Sequence, residues 1–452
     1  MSGYRTLHRI PTQTPIYRVH FSPCRPPSND GSLRLVTAGP SNQIHVYSLR
    51  ERTSSGELDA TPLVVETVEC LVPSDFVAPE DKCTLGYGAL DITRNYIGTD
   101  PLAGHEVIAA SQLGGRVSIW VRLDPASHAG KEFDTSNNIA SSSSLDGVRY
   151  ITPDVEFDTP ATGTTLAIRP PSLGLYYSQY ETDILLAVGC ADGSVLLLQS
   201  GILAYYKQNQ SSSSGRIVGD ASSSNHQSQV VINVKSTNRP GEVVATIGRG
   251  HACVMSIAWH PSIPNTFAVG RKDGSMDIYS STSSSTEDGN ALNFRRMHRL
   301  SDSTRPLRGL TFSQPQGMLL FAGDDSGKIY QYDTSVATCN FAEFSDSKRA
   351  SSAPIKLVAF ALSAHKGWIM NLTSFEDEKR IVSCGSDRSV KVWDCGMGFG
   401  SSMAVHSFDG VHGGYVWDVA VGCVGGEDGK KKKSLLVSCG NDGVVQVYSC
   451  GD

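Results

Sequence analysis

Hydrophobic positions along the chain alternate with polar ones in short runs, and the runs themselves recur. In each unit an apolar residue is followed by a variable one, then by apolar positions three and five residues after the first. After a turn comes a run of small and aliphatic residues, a polar or glycine turn, and an alternating stretch that closes on a large apolar side chain, as in Val390-Lys391-Val392-Trp393. Period two sends successive side chains to opposite faces, which predicts strands and not helices.

The unit occurs seven times, with opening strands expected at 16–21, 87–92, 163–168, 254–259, 307–312, 369–374 and 416–421. The third strands are expected to close at Tyr47, Trp120, Leu198, Tyr279, Tyr332, Trp393 and Tyr448. One such sheet cannot bury both faces, whereas sheets set radially stack on one another and leave only short edges. The expected fold is all-β: a seven-bladed β-propeller spanning 1–452 as a single domain, with blade cores near 16–47, 87–120, 163–198, 254–279, 307–332, 369–393 and 416–448. Little chain follows Tyr448, so residues 5–10 are expected to complete blade seven and latch the ring, sparing both ends an unpaired edge.

Composition agrees. Glycine at 44 of 452 residues and a charged fraction of 19% favour many short strands with tight turns. A net charge of −6 offers no basic footprint for direct nucleic-acid binding. Eleven dispersed cysteines without paired spacing read as reduced thiols of the cytoplasm or nucleus, and the chain shows no apolar leader or membrane-length apolar run. The serine-rich segments 137–144 and 211–228 are expected to be mobile loop insertions, and the run Lys430 to Lys433 a solvated loop. No metal or cofactor is expected: His and Cys lack zinc-ligand spacing, and Gly114-Gly115 and Gly425-Gly426 lack the Lys-Ser/Thr of a phosphate loop.

Gly250-His251, Ala364-His365 and Val411-His412, with Asp273, Asp387 and Asp442 after them and Trp393-Asp394 as the closing dipeptide, resemble WD repeats. The resemblance implies a hydrogen-bonded chain inside each blade: His365, Asp387, Ser383 and Trp393 match it fully, His412, Asp442 and Ser438 match with Tyr448 in place of Trp, and His251 with Asp273 supplies a third His–Asp pair. A buried imidazole needs partners on both nitrogens, and the carboxylate fixes its tautomer. The set could be mistaken for a Ser/His/Asp catalytic triad, but it recurs in several units, whereas a catalytic triad occurs once. Other units depart from the motif, with Ser41, Gly114 and Ser326 at the turn position and Asp192 without a matching His.

In a propeller the variable second residue of each opening strand stands at one mouth of the channel. That ring reads Tyr17, Gly88, Thr164, Met255, Arg308, Met370 and Trp417, with Trp368 and Tyr415 just before it. Trp, Tyr, Met and Arg are enriched where interfaces carry their energy. Arg308, Trp368, Met370, Tyr415 and Trp417, together with Tyr17 and Met255, are the candidate partner contacts; the competing reading makes Met255, Met370 and Trp417 core that plugs the channel. The ring offers no convergent carboxylates for a propeller enzyme, Asp418 being the nearest acid.

The stretches Arg305 to Ser313, Ala364 to Leu372, Ser386 to Asp394 and Asn441 to Cys450 are similar to the WD-repeat subunits of the superkiller complex. That resemblance covers the last third of the chain strongly. It implies a non-catalytic scaffold that binds a tetratricopeptide-repeat subunit beside an RNA helicase in exosome-linked mRNA decay, in the cytoplasm, with a second setting in a nuclear transcription elongation complex. It also implies a short partner segment bearing an aromatic residue at the channel mouth. The alternative is another WD adaptor such as a cullin-ligase substrate receptor. Those commonly carry Trp-Asp-x-Arg, where this chain has Trp393-Asp394-Cys395-Gly396.

Overall fold

The computed structural model describes residues 4–12, 14–21, 33–41, 43–51, 63–73, 87–94, 106–122, 149–151, 153–159, 162–170, 184–200, 242–248, 251–263, 265–282, 293–335, 355–361, 363–395, 404–424 and 433–450. The serine-rich segments 137–144 and 211–228 lie outside them, as do Lys430, Lys431 and Lys432. Seven sheets, antiparallel in their four-stranded cores, make up the fold, and the opening strand of each blade lies beside the opening strand of the next, the last beside the first, so the ring closes. The protein is a seven-bladed β-propeller.

The blades follow the repeat closely. In blade four the strands are Val254–Trp259, Thr266–Arg271, Met276–Thr282 and Asn293–Leu300; in blade five Leu307–Phe312, Leu319–Asp324, Ile329–Asp333 and Lys356–Ala361; in blade six Ile369–Ser374, Arg380–Gly385, Val390–Asp394 and His406–Phe408. Blade seven takes three strands from the C-terminal part, Val416–Val424, Lys433–Gly440 and Val444–Ser449, and its outer strand, Arg5–Pro11, from the N-terminal part. That strand pairs antiparallel from Arg5 opposite Ser449 to Pro11 opposite Val444, and the Thr12 amide continues the ladder to the Gly443 carbonyl at 2.7 Å. Pro11, lacking an N–H, sits at the strand end, where no ladder bond is lost.

The small, aliphatic second strands are explained by their place. Glu106–Gln112, Leu185–Cys190 and Thr266–Arg271 are buried at every position, because a neighbouring blade covers each face. The core is accordingly a set of seams between adjacent blades. One, between blades six and seven, joins Val382, Val392 and Phe408 to Val419, Leu436 and Tyr448; another, between seven and one, joins Val437 and Val447 to Val19 and Leu35. Each fully buried aliphatic side chain contributes about 1.5–3 kcal/mol.

Three details differ from the repeat. The ladder of blade one begins at Arg18, so Ile16 is buried ahead of the strand and the Tyr17 amide reaches the Ala38 carbonyl alone. The last opening strand runs on to Val424. Blade one also gains a fifth strand: Arg149–Ile151, from the connection inside blade two, pairs in parallel with Glu69 to Leu71. Three residues carry too short a pattern to announce a strand.

Candidate functional site

The variable residue of the opening strand is a β-bulge. In blades two to seven the register slips across Gly88, Thr164, Met255, Arg308, Met370 and Trp417, each of which lies between two residues that keep their partners. A bulge bends the strand and re-aims the extra side chain, which explains why this position is free to vary while its neighbours stay apolar.

Five of the expected residues form one continuous surface across blades five, six, seven and one. Arg308 donates through Nε and Nη2 to the two Asp325 carboxylate oxygens at 2.6 and 3.0 Å, and its guanidinium lies 5.0 Å from the centre of the Trp368 ring. Trp368 stands 6.5 Å from Tyr415, Tyr415 6.3 Å from Trp417, and Trp417 5.5 Å from Tyr17, the last two pairs edge to face. Such ring geometry is the favoured one for aromatic quadrupoles, and a cation held over an indole adds to it. Trp368 and Tyr415 are 44% and 46% exposed, far more than large aromatic residues usually are. The Trp417 indole N–H is closed off from solvent and has no hydrogen-bond partner among the described residues.

Two expected contacts lie elsewhere. Met370 is buried, packed into the seam between blades six and seven, so it supports the surface from below and is not part of it. Met255 is half-buried on blade four, with Thr164 and not an aromatic at the bulge before it. Asp418 is not an available acid at the mouth: it is fully buried and accepts the amides of Val19 and Val419, each at 2.9 Å, and the Asn371 side-chain amide, binding blades six, seven and one together.

The turns beneath this surface carry the His–Asp chains. His365 Nδ1 meets Asp387 Oδ1 at 2.9 Å, its Nε2 meets Ser383 Oγ at 2.7 Å, and Trp393 Nε1 donates to the same Oγ at 2.9 Å. In blade seven the distances are 3.1 Å from His412 to Asp442, 2.7 Å to Ser438, and 2.8 Å from Ser438 to the Tyr448 hydroxyl. Burial lowers both imidazoles below the usual histidine range. Burial also opposes ionisation of Asp387 and Asp442. For Asp387 the bond from His365 and those from the Lys366 amide and Ser389 outweigh it; for Asp442 the Gly413 amide and His412 do, so both carboxyls stay below the ordinary range. The Asp387 carboxylate thus anchors the loop that ends in Trp368, whose own amide donates to Ser386 Oγ at 2.8 Å.

The third expected pair is not made. Among the described residues no hydrogen bond joins His251 to Asp273; Asp273 instead accepts the amide and hydroxyl of Ser275 at 3.0 and 2.7 Å. The cause lies at the end of the second strand. Gly385 and Gly440 occupy that place in blades six and seven, and a Cβ there would come within 2.7 Å of His365 Nδ1 or 2.8 Å of His412 Nδ1. Blade four has Arg271 at the same register, fully buried, donating to Asp277 Oδ2 at 3.0 Å and to the carbonyls of Gly193 and Ala252 at 2.8 and 3.0 Å. Blade five has Asp324, which accepts Ser303 Oγ at 2.9 Å and the Tyr330 hydroxyl at 3.0 Å. Sequence reasoning missed both networks; the signal was a charged residue at the strand end where the matching blades have glycine.

The family model described as WD domain, G-beta repeat, matches residues 356–394. That span takes the outer strand of blade five and the first three strands of blade six, the blade whose His, Asp, Ser and Trp are all present. A WD repeat on a seven-bladed ring fits a WD-repeat protein. No curated protein matched the chain. WD-repeat propellers are typically platforms for protein interaction without chemistry of their own, and the repeat seen here straddles two blades for the same reason that Arg5–Pro11 closes blade seven: each repeat hands its outer strand to the preceding sheet. Among the described residues no group of three or more His, Cys, Asp or Glu is placed to hold a metal ion.

Proposed function

We propose that this WD-repeat chain is a non-catalytic scaffold that grips a short aromatic-bearing segment of a partner on the surface formed by Arg308, Trp368, Tyr415, Trp417 and Tyr17, as the WD-repeat subunits of the superkiller complex do. The observation that carries the reading is the unbroken Arg–Trp–Tyr–Trp–Tyr contact series with two half-exposed aromatic residues at its centre. The rings are already fixed against one another, so a partner gains contact at little further entropic cost. The partners proposed are a tetratricopeptide-repeat subunit and an RNA helicase serving exosome-linked 3′–5′ mRNA decay in the cytoplasm, with a nuclear setting in transcription elongation. RNA contact is assigned to the helicase, in keeping with a net charge of −6 on this chain.

A tagged chain is expected to retain both partners from cell extract. Trp368→Ala should weaken capture by about thirtyfold or more, corresponding to at least about 2 kcal/mol for a hot-spot aromatic, without moving the unfolding midpoint. Undiminished capture by that variant would remove the site assignment. Recovery of a cullin-ligase adaptor with no helicase would replace the superkiller reading by the ligase one.

A further inference from the structure

The outer strand of blade four, Asn293–Leu300, carries Arg295, Arg296, His298 and Arg299 and no acidic residue, on a chain whose net charge is −6. A bulge opposite Ile278 and Tyr279 breaks its alternation, so Arg296 and Arg299, three apart, share one face, and both reach Asp277 Oδ1 at 3.8 and 3.9 Å. Asp277 is fully buried and that oxygen has no hydrogen bond among the described residues. The carboxylate therefore orients the two guanidinium groups while leaving their donors unspent. Arg295 lies on the other face, exposed, and makes no bond among the described residues. By comparison the outer strand of blade two is acidic, with Glu156 and Asp158, and that of blade six is only three residues long.

The strand also has a free edge. It ends its sheet, and among the described residues nothing pairs with its outer side. Blade one shows that an outer strand of this propeller accepts an addition, because Arg149–Ile151 pairs with Glu69 to Leu71 as a further strand. From the open ladder, the basic side chains on both faces and the internal precedent, we propose that Asn293–Leu300 docks an acidic, extended peptide segment of a partner protein by strand addition. Backbone hydrogen bonds would supply the grip, and glutamate or aspartate side chains would fall beside Arg296 and Arg299 on one face and Arg295 and His298 on the other. A nucleic-acid backbone fits less well, since Asp273 and Asp277 interrupt the basic track and the strand's one aromatic, Phe294, is half-buried in the seam with blade three. This surface is separate from the aromatic mouth, and each can fail without the other.

The test is fluorescence anisotropy of a labelled decapeptide, Glu-Thr-Glu-Glu-Val-Thr-Glu-Glu-Val-Glu, titrated with the full chain. Saturable binding is expected that weakens with salt, is absent for the lysine counterpart, and loosens about fivefold or more with Arg295→Glu, a change that breaks no bond among the described residues. Methylating alternate backbone nitrogens of the peptide should abolish binding in one of the two registers and spare it in the other, a control that needs no protein variant. Binding indifferent to methylation in both registers would overturn strand addition. Binding unchanged by Arg295→Glu, or no binding, would overturn the site, and stronger capture of labelled oligouridylate than of the peptide would transfer it to nucleic acid.

Discussion

Blades six and seven and blades four and five hold their turns together by different chemistry at the same place. Where the second strand ends in Gly385 or Gly440, the missing side chain leaves room for an imidazole and a carboxylate to meet. Where it ends in Arg271 or Asp324, that residue fills the space and becomes the hub itself. In all four of these blades a polar cluster ties the strand end to the neighbouring turn, since a buried polar group without a partner costs more than a made bond returns. That cluster need not be His–Asp. The solutions differ in strength: the blade-four cluster places a full ion pair out of water, whereas the blade-six cluster keeps its charge on a partly exposed carboxylate.

The sharpest way to break this comparison is Arg271→Met. It leaves Asp277 buried opposite only distant arginines and is expected to cost about 3–5 kcal/mol in urea denaturation. Adding Asp277→Leu should recover much of the loss, because a buried pair replaced by apolar groups of similar volume is nearly neutral. A single variant as mild as the double would show that Arg296 and Arg299 already neutralise Asp277.

Acid should separate the histidines next. His260 is buried between blades four and five with no carboxylate partner among the described residues; its Nδ1 accepts the amides of Ser262 and Ile263 at 3.3 and 3.0 Å. Burial pushes its pKa down to about 4, with the Gly317 backbone pulling weakly the other way. The folded value lies below the unfolded one, so the unfolded chain takes up the proton first. The stability from keeping this ring neutral is present above about pH 6.5 and is lost as pH falls towards 4, a span of about 3 kcal/mol. His260→Asn retains an acceptor for the two amides and should flatten that limb of the stability curve; an unchanged acid limb would assign it to other groups.

The smallest effect compares one motif position in two blades. Asp387→Ala removes the partner shared by His365 Nδ1, the Lys366 amide and Ser389, leaving His365 Nδ1 only the Ser389 hydroxyl, and should cost about 1.5–3 kcal/mol. Asp273→Ala removes the bonds to Ser275 and an exposed ion pair with Arg299 at 4.0 Å, and should cost under about 1 kcal/mol. Equal losses in thermal unfolding would mean that the turn aspartate acts alike in both blades.

Much of this was legible in the residues. Period-two alternation and the repeated unit set the strand positions to within a few residues, and the closing role of residues near 5–10 followed from the unit that lacked an outer strand. The fully written motifs, His365 to Trp393 and His412 to Tyr448, name their own partners because those partners recur at the same places in both blades. His251 and Asp273 carry the same spacing and do not pair, because spacing says nothing about the residue standing between them in space. Met370 and Trp368 are two apart and equally apolar in sequence, yet one is core and the other exposed.

The sequence alone therefore determined the number of blades, their opening and third strands, the closing strand near 5–10 and the mouth positions free to vary, because these depend on local alternation and on chain order. Which of the mouth residues reach solvent, which strand ends hold charge and which outer strand accepts a further one were decided by the ring itself. Those outcomes depend on bulges and on what a neighbouring blade leaves open, contacts between residues far apart in the chain, where no local pattern records the distance.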